Sequence, residues 1–536
     1  RSDMGVQVLD CTLRDGGYIN NWEFGRRAIA SILDKLEAGG IDIIECGFLT
    51  SRPRGEDCSL FRSPGDIAPL LPQRPRRAMF VAMIAMGEWE LPPDQLPPRR
   101  EGDIDGIRLT FHREEADRAF AWAGAMMAKG YQVFLQPVGT AFYSDLELLR
   151  LVERVNQLKP FAFYIVDTLG SMYRNQVARQ FHLIDENMDP QVKLGFHGHN
   201  NLQLAFSNAQ VLSTIQAKRD LILDSSVYGM GRGAGNLPTE LIARYINQNI
   251  QSRYNVAMVM DIYDEYIAFL RREYEWGYTM AYHIAAIHAC HPNYAAYLLN
   301  KQTLTMQDIE SVLRSIPKER RVEFDKGLIR QLYAQFQNRA IDDSRAVEEL
   351  SALLRGRKLL VLAPGQSLRT RETQVLEFIR REAPFVFTVN FADPKFRPDA
   401  CFVSSHKRLD IIGPQVRDMA GARLILTSNL AAYGGEGCLF VDYGQCVNED
   451  GMVSDNAGLM LLKLLERCGA RQVFLAGFDG FRPQPEASYY SREAVLPVNA
   501  AELFERQRRM GEQLRRLPLE MVFLTPSAYE DREGKT

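Results

Sequence analysis

Short apolar, β-prone runs alternate with helix-length amphipathic stretches over about the first 229 residues. Eight runs are expected to be strands: residues 6–11, 41–48, 79–85, 106–111, 132–138, 161–166, 193–196 and 221–227. The stretches 26–38, 114–129, 146–158 and 202–218 are typical of amphipathic helices. Strand–helix alternation implies parallel pairing with right-handed crossovers. Eight repeats in this length predict a closed (β/α)8 barrel over residues 4–248, with an open doubly wound sheet as the alternative.

The pattern changes after residue 248. Residues 249–340 are mostly helical in character, and we expect them to cover one end of the barrel as a helical appendage and lid. The charged stretch 341–357 is predicted to be an inter-domain linker. A second α/β unit follows over 358–536, with strand candidates at 358–362, 385–390, 423–427, 472–476 and 521–524. An open, doubly wound, Rossmann-like sheet fits this pattern best.

Composition narrows the class of protein. The chain has 536 residues and a formal net charge of −3, which gives no basic footprint for nucleic acid. No apolar run reaches the length needed to span a membrane. Eight cysteines lack the spacing of a metal or redox motif and are typical of free thiols in a reducing cytoplasm. We therefore expect a cytoplasmic enzyme with two large domains. We also expect the protein to form a homo-oligomer.

Two short motifs suggest the chemistry. Arg14 and Asp15 follow the first predicted strand, and His197 and His199 lie at the end of the seventh. Residues i and i+2 of a strand share a face, and the carboxyl ends of barrel strands converge on one mouth. Asp15, His197 and His199 are therefore candidate ligands of a divalent metal with open coordination positions. The alternative is a histidine pair satisfied by ordinary hydrogen bonds.

A 2-oxo acid suits such an ion, because its carboxylate and keto oxygens can chelate it. The metal would act as a Lewis acid and stabilise the enolate formed when a carbon–carbon bond breaks or forms. Arg14 could place its guanidinium on the developing oxyanion. Mn²⁺ or Mg²⁺ suits an oxygen substrate, and the histidine ligands are also compatible with Zn²⁺.

The N-terminal half resembles the DRE-TIM metallolyase (HMGL-like) superfamily, which includes hydroxymethylglutaryl-CoA lyase, isopropylmalate synthase and 4-hydroxy-2-oxovalerate aldolase. The matching motifs are Thr12-Leu13-Arg14-Asp15-Gly16, Glu45, Asp167-Thr168-Leu169-Gly170, His197-Gly198-His199-Asn200 and the glycine-rich segment Gly229-Met230-Gly231-Arg232-Gly233-Ala234-Gly235-Asn236. The resemblance implies that Asp15, His197 and His199 bind metal and that Arg14 stabilises the enolate. It also implies that Asn236 lies near the metal, and that Glu45 and Thr168 lie near the substrate.

Within that superfamily, the glycine-rich segment favours an aldolase over an acyl-CoA-dependent Claisen enzyme. Claisen synthases carry Glu-Arg where this chain has Arg232-Gly233. One departure concerns the base. The related aldolases have a histidine three residues after the metal aspartate, where this chain has Tyr18. Since a tyrosine of normal pKa is a poor base, either Tyr18 is tuned, a metal-bound hydroxide acts, or the substrate differs.

The appendage contains His283, His288 and His291. His288 and His291, at i and i+3, could form a second metal site, but such spacing is more often helix packing near a terminus, and Pro292 supports that ending. A contribution to an active-site lid is the favoured interpretation.

In the second unit, Gly365-Gln366-Ser367 opens a helix directly after a strand, so its free N–H groups favour a phosphate. An ordinary turn with Ser367 near the N-cap is the alternative. The unit also resembles, distantly, the bacterial sialyltransferases that use CMP-sialic acid. The residues that carry this resemblance are Pro364-Gly365-Gln366-Ser367, Asn390, Ser454, Gly477-Phe478-Asp479, Tyr489 and Thr525-Pro526-Ser527. No histidine follows His406, which argues against the same sugar transfer.

The leading hypothesis is a divalent-metal-dependent aldolase or lyase that acts through the enolate of a pyruvate-like 2-oxo acid. Its aldehyde partner would be carried on a nucleotide-linked or phosphorylated sugar, in surface-polysaccharide synthesis. Acyl-CoA Claisen condensation is one alternative. The other is a bifunctional protein in which the C-terminal domain is the working glycosyltransferase and the barrel is a scaffold.

Overall fold

The computed structural model describes residues 5–481 and 500–530, and Tyr489 lies outside these ranges. The chain divides into two compact units. Among the described residues, the first unit runs to Ala295 and also takes in Lys318–Phe324, while the second comprises Ala296–Pro317 and the residues from Asp325 onward. The appendage predicted over 249–340 is therefore shared between the two units.

The first unit is a closed parallel barrel. Its eight long strands are β1 Val6–Asp10, β2 Ile43–Leu49, β3 Met79–Ala85, β4 Gly106–Phe111, β5 Gln132–Pro137, β6 Ala162–Asp167, β7 Lys193–Gly198 and β8 Leu221–Ser225. Each pairs with its sequence neighbours, and β1 pairs with both β2 and β8, which closes the barrel. The short strand Leu60–Phe61 is added beside β2. The predicted barrel is confirmed, and the open-sheet alternative is wrong.

Helices surround this barrel. They are α1 Arg26–Ala38, α2 Ala116–Ala128, α3 Asp145–Leu158, α4 Arg174–Asn187, α5 Ala205–Thr214 and α6 Thr239–Asn249. Helix α3 shows why the boundaries fall where they do. Ser144 accepts the N–H of Glu147 at 3.3 Å, and the Glu147 carboxylate accepts the N–H of Ser144 at 2.7 Å, which is a reciprocal capping box.

After the barrel come further helices: α7 Val256–Ile262, α8 Ala268–Glu273, α9 Met280–Ile287, α10 Pro292–Asn300, α11 Met306–Ser315 and α12 Lys326–Gln337. A single π-helical turn, Tyr263–Ile267, joins α7 to α8. The predicted linker 341–357 contains a helix, α13 Ser344–Leu354. Leu350 and Leu354 of α13 are buried in the core of the second unit, so this segment is part of that unit.

The second unit is a seven-stranded parallel sheet. Its strands are β9 Leu359–Leu362, β10 Phe385–Val389, β11 Ala400–Val403, β12 Arg423–Thr427, β13 Leu439–Val441, β14 Gln472–Ala476 and β15 Glu520–Phe523. Their order is 13-12-11-10-9-14-15, so successive strands are added on one side of β9 up to β13 and on its other side from β14 onward. The larger helices are α14 Glu372–Glu382, α15 His406–Arg417, α16 Ala457–Arg467 and α17 Ala500–Arg516. The doubly wound prediction is confirmed, although β11 and β13, of four and three residues, were not predicted.

The barrel interior is filled by side chains that alternate along the strands. Leu9, Ile43, Val81, Phe134 and Ile222 belong to this inner cluster, and all are buried.

None of the helices that the structure describes combines the length and the apolar composition that a membrane crossing requires.

We expect the buried Arg219–Asp185 pair to be a major stabilising contact of the barrel. Arg219 Nε donates to Asp185 at 2.7 Å, and both side chains are almost fully buried. The other guanidinium nitrogens donate to backbone oxygens of Asp185, Met188, Asp189 and Val192. Arg219→Met should cost about 3–5 kcal/mol, because it leaves a buried carboxylate unpaired.

The neighbouring Lys218 supplies the matched control, since its ion pair with Glu186 is exposed. Lys218→Met should cost at most about 1 kcal/mol. Urea denaturation of the full chain should show an earlier transition for Arg219→Met alone. Equal midpoints for the two variants would contradict this expectation.

Candidate active site

Two strand ends bring the predicted ligands together at the barrel mouth. The turn after β1 carries Asp15, while His197 lies in β7 and His199 just beyond it. One ligand atom from each residue lies within 4.8 Å of the others, and all three side chains are buried. Among the described residues, this is the only cluster of three or more such side chains that could hold a metal ion. The predicted convergence is present.

The donor set fits a divalent cation. Burial lowers the pKa of His199 to about 3, so its imidazole is neutral and keeps a lone pair. Burial raises the pKa of Asp15, but Arg14 and the two histidines outweigh it and hold that pKa below its usual value. Asn236 Nδ2 donates to Asp15 Oδ2 at 2.5 Å, and its buried Oδ1 has no hydrogen-bond partner. A carboxylate and two imidazoles therefore converge on one point, and Asn236 holds the carboxylate in place.

A chain of buried charges supports this ligand set. Arg14 Nε donates to Glu45 Oε1 at 2.6 Å, and Arg108 Nη1 donates to Glu45 Oε2 at 2.8 Å. Arg108 also donates to Asp224 Oδ2, which lies 2.9 Å from His197 Nδ1. The carboxylate fixes the proton on Nδ1, so Nε2 of His197 is left as the ligand atom.

Arg108 and Asp224 were missed by sequence reasoning. Both lie on barrel strands and are fully or almost fully buried, as is Tyr164, whose hydroxyl donates to Asp224 Oδ1 at 3.0 Å. The available signal was a charged side chain at an inward position of an apolar strand. Such a residue is costly to bury unless it is paired.

Glu45 has a different role from the one that the resemblance implies. It does not line the mouth cavity, and both its oxygens accept from arginines. Glu45 therefore holds Arg14 in place from behind the cavity. Arg14 itself lines the cavity and also donates to Asp15 Oδ1 at 2.9 Å. Thr168 lines the cavity as well, and its hydroxyl accepts the N–H of Gly139 at 2.9 Å.

Tyr18 lines the same cavity but is not tuned as a base. The surrounding protein raises its pKa above the ordinary 10, although Arg232 and Arg14 act in the opposite direction. The Arg232 guanidinium lies 5.2 Å from the centre of the Tyr18 ring, and Trp22 packs edge-on against it at 4.8 Å. In these surroundings Tyr18 lacks the lowered pKa that the tuned-base interpretation requires.

The glycine-rich segment after β8 is shaped by close approach to the ligands. A Cβ atom on Gly231 would lie 2.4 Å from Asn236 Nδ2 and 3.2 Å from Asp15 Oδ2. Only glycine leaves room there for the amide that holds Asp15. The neighbouring Arg232 turns its side chain into the mouth cavity, whose volume is about 420 Å³.

The appendage histidines do not form a second metal cluster within the described residues. His288 ends α9, whereas His291 is buried and lines the mouth cavity. The predicted appendage therefore lines the mouth cavity with His291, Asn293, Val322, Glu323 and Phe324, and its one imidazole there is that of His291.

In the second unit, the predicted phosphate site is occupied by a carboxylate of the chain. Ser367 N donates to Asp479 Oδ2 at 2.7 Å, and the Ser367 hydroxyl donates to Asp479 Oδ1. A Cβ atom on Gly365 would lie 2.1 Å from Gly477 O, so this glycine permits loop packing. Asp479 therefore accepts the Ser367 donors that were predicted to bind phosphate, and phosphate binding at Gly365 and Ser367 stays a prediction.

A cavity of about 220 Å³ nevertheless lies at the carboxyl ends of β9 and β14, where the strand order changes side. Gly365, Asn390 and Asp479 line it, whereas Ser367 and Ser454 do not. Asn390 has a positive φ of 55° and a buried Oδ1 without a hydrogen-bond partner. Lys301, Arg408 and Arg506 add positive charge to the lining.

The buried carboxylate behind the metal ligands gives a direct test of the geometry. Asp224→Asn should weaken divalent-metal affinity about 10- to 100-fold, because the support that orients His197 is lost. Tyr164→Phe is the matched control, since it removes a single hydrogen bond to the other Asp224 oxygen. Competition titration against a chelator measures both, and unchanged affinity in Asp224→Asn would contradict the assignment.

Comparison with known proteins shows what the first unit is similar to. The HMGL-like family model matches residues 115–265. A 4-hydroxy-2-oxovalerate aldolase of Thermomicrobium roseum is 28% identical over 300 residues, covering 53% of this chain and 81% of that protein. An oxaloacetate decarboxylase of Mycobacterium tuberculosis is 28% identical over 244 residues, covering 44% of this chain and 68% of that protein.

A crystal structure of an HMG-CoA lyase of Bacillus subtilis covers 49% of this chain and 92% of its own, with 14% identity and a TM-score of 0.40. The residues matched by the family model lie within the first unit. Residues 115–265 of the first unit therefore match the HMGL-like family model, and this unit resembles the enzymes of the DRE-TIM metallolyase superfamily.

Proposed function

We propose that the barrel is a divalent-metal-dependent aldolase that forms or cleaves a carbon–carbon bond next to the keto group of a pyruvate-like 2-oxo acid. The observation that carries the proposal is the convergence of Asp15, His197 and His199 within 4.8 Å. A divalent cation bound there would supply Lewis-acid stabilisation of the enolate. The aldolase and decarboxylase relatives support the same class of chemistry.

The residues around this point suit an anionic substrate. Arg14 faces the cavity, held in place by Glu45 and Asp15. Arg232 also lines the cavity, and its buried Nε has no hydrogen-bond partner. A guanidinium with an unused N–H donor is suited to bind a carboxylate, and a 2-oxo acid carries one.

Acyl-CoA Claisen condensation remains the alternative within the superfamily. It differs in a simple observable, because turnover releases a free CoA thiol. The glycine-rich segment, with Arg232-Gly233 in place of Glu-Arg, favours the aldolase.

For the second unit, we propose binding of a nucleotide-linked or phosphorylated sugar. The cavity follows the carboxyl ends of β9 and β14, the strands on either side of the switch point, where doubly wound sheets bind ligands. Lys301 lies in this lining, with Nζ 5.1 Å from the centre of the Tyr333 ring. The three cations of the lining outnumber its two carboxylates, Asp455 and Asp479, and this balance suits a phosphorylated ligand.

Asp15→Asn should abolish both tight metal binding and metal-dependent exchange of the C3 protons of pyruvate for deuterium. The variant removes the only anionic ligand of the cluster, so we expect exchange to fall by at least about 10²-fold. His182→Gln, an exposed histidine on α4, is the control for a lost imidazole. Full exchange in Asp15→Asn, or no metal-dependent exchange in the unmodified protein, would refute the proposal.

Lys301→Met should weaken the binding of CMP to the full chain about tenfold, since it removes a cation from the lining. Lys358→Met is matched to it, because Lys358 also lies over an aromatic ring but pairs with Glu382 next to the amino end of β9. Isothermal titration measures both variants. Absence of heat from CMP, UDP and GDP alike would contradict nucleotide binding.

A further inference from the structure

His291 reaches the barrel mouth from outside the barrel strands. It directly precedes α10, is 7% exposed, and lines the same cavity as the three ligands. Its N–H donates to Arg321 O at 2.7 Å, and its carbonyl accepts the N–H of Tyr294 at 3.0 Å. The backbone that carries this imidazole is therefore fixed at both polar groups.

The N-terminus of α10 sets the tautomer of His291. The backbone N–H of Asn293 donates to His291 Nδ1 at 3.1 Å. Because an amide N–H can only donate, Nδ1 must hold its lone pair toward it, and the neutral ring then carries its proton on Nε2. Within the described residues, Nε2 has no hydrogen-bond partner.

The surroundings keep the ring neutral. Burial lowers the pKa of His291 well below its ordinary 6.5, and the positive charge of Arg232 and the nearby His199 act in the same direction. A neutral imidazole whose Nδ1 is already occupied is a hydrogen-bond donor through Nε2. It is not a base at that atom.

The other hydrogen-bond donors at the mouth either are already paired or are more exposed than His291. Arg14 is held by Glu45 and Asp15. Tyr18 is 37% exposed at the rim. His112 lies 3.1 Å from Glu323 through Nδ1, and its side chain is 28% exposed. His291 is the buried imidazole of the lining that is not a candidate metal ligand.

We propose that His291 is a catalytic residue that donates a fixed hydrogen bond from Nε2 to the oxygen of the carbonyl partner, where negative charge develops during carbon–carbon bond formation. This inference rests on the aldolase function proposed above. In the addition direction, the C3 electron pair of the 2-oxo acid enolate attacks the carbonyl carbon, and the π pair moves to the carbonyl oxygen. His291 stabilises that alkoxide without losing its proton, and water then protonates the oxygen. Cleavage is the reverse.

Two reactions separate this role from a general structural one. Cleavage of 4-hydroxy-2-oxovalerate passes through an alkoxide, and its rate is measured as the release of pyruvate. Decarboxylation of oxaloacetate gives the same enolate with loss of CO₂ and forms no alkoxide. His291→Leu should lower kcat for cleavage about 10²- to 10³-fold, the usual cost of losing one oxyanion donor, and lower decarboxylation by less than about threefold.

His291→Gln should recover much of the cleavage activity, because its amide N–H can replace the Nε2 donor. His182→Leu is the control for a lost imidazole, since His182 is exposed on α4 and does not line the cavity. Equal losses in both reactions, or no loss in His291→Leu, would overturn the inference. A wild-type protein that neither decarboxylates oxaloacetate nor exchanges pyruvate protons would instead refute the aldolase proposal.

The tautomer can be measured without any substrate. In the Mg²⁺-loaded full chain labelled with ¹⁵N-histidine, the signals missing from His291→Gln identify His291. At pH 7 their shifts should report a neutral ring with the proton on Nε2. A proton on Nδ1, or a doubly protonated ring, would overturn the inference whatever the substrate is.

Discussion

Charge burial at the centre of the barrel is the constraint on which the active site depends. Arg108 is fully buried, and it can remain so because Glu45 and Asp224 accept its guanidinium on two sides. The same two carboxylates hold Arg14 and His197. Removing any member would leave an unpaired buried charge, so the residues that support the candidate metal ligands also stabilise the barrel.

Residues at different depths of the barrel have different roles in the site. The buried pairs lie behind the ligands and fix their direction, while the ligands and Arg14 face the cavity. Above them, the glycine-rich segment lets Asn236 reach Asp15, and Arg232 adds a cation to the mouth. His291 enters from a separate helix start and completes the set of donors.

The sequence was most informative where local pattern and global geometry agree. Apolar periodicity predicted the eight barrel strands, and the i, i+2 spacing of His197 and His199 predicted their common direction, because a strand enforces it. Asp15 could be added because barrel strand ends converge. The pairing of Arg108 with Asp224, 116 residues apart, needed the folded barrel.

Two expectations drawn from local pattern were incomplete for the same physical reason. Gly365 and Ser367 were predicted to bind phosphate because a helix N-terminus has free N–H groups, but Asp479, 112 residues beyond Ser367, already accepts one of them. The linker predicted over 341–357 contains a helix, since Leu350 and Leu354 find a core in the second unit. In both cases a distant part of the chain satisfies a group that local pattern leaves open.

The central claim is that Asp15, His197 and His199 share one cation. Pulsed electron paramagnetic resonance of the Mn²⁺-loaded protein, with histidine labelled as ¹⁵N, tests it most directly. We expect hyperfine coupling to two directly bound imidazole nitrogens, both lost in the double variant His197→Leu/His199→Leu. A Mn²⁺ spectrum without any coupled ¹⁵N nucleus would contradict the account.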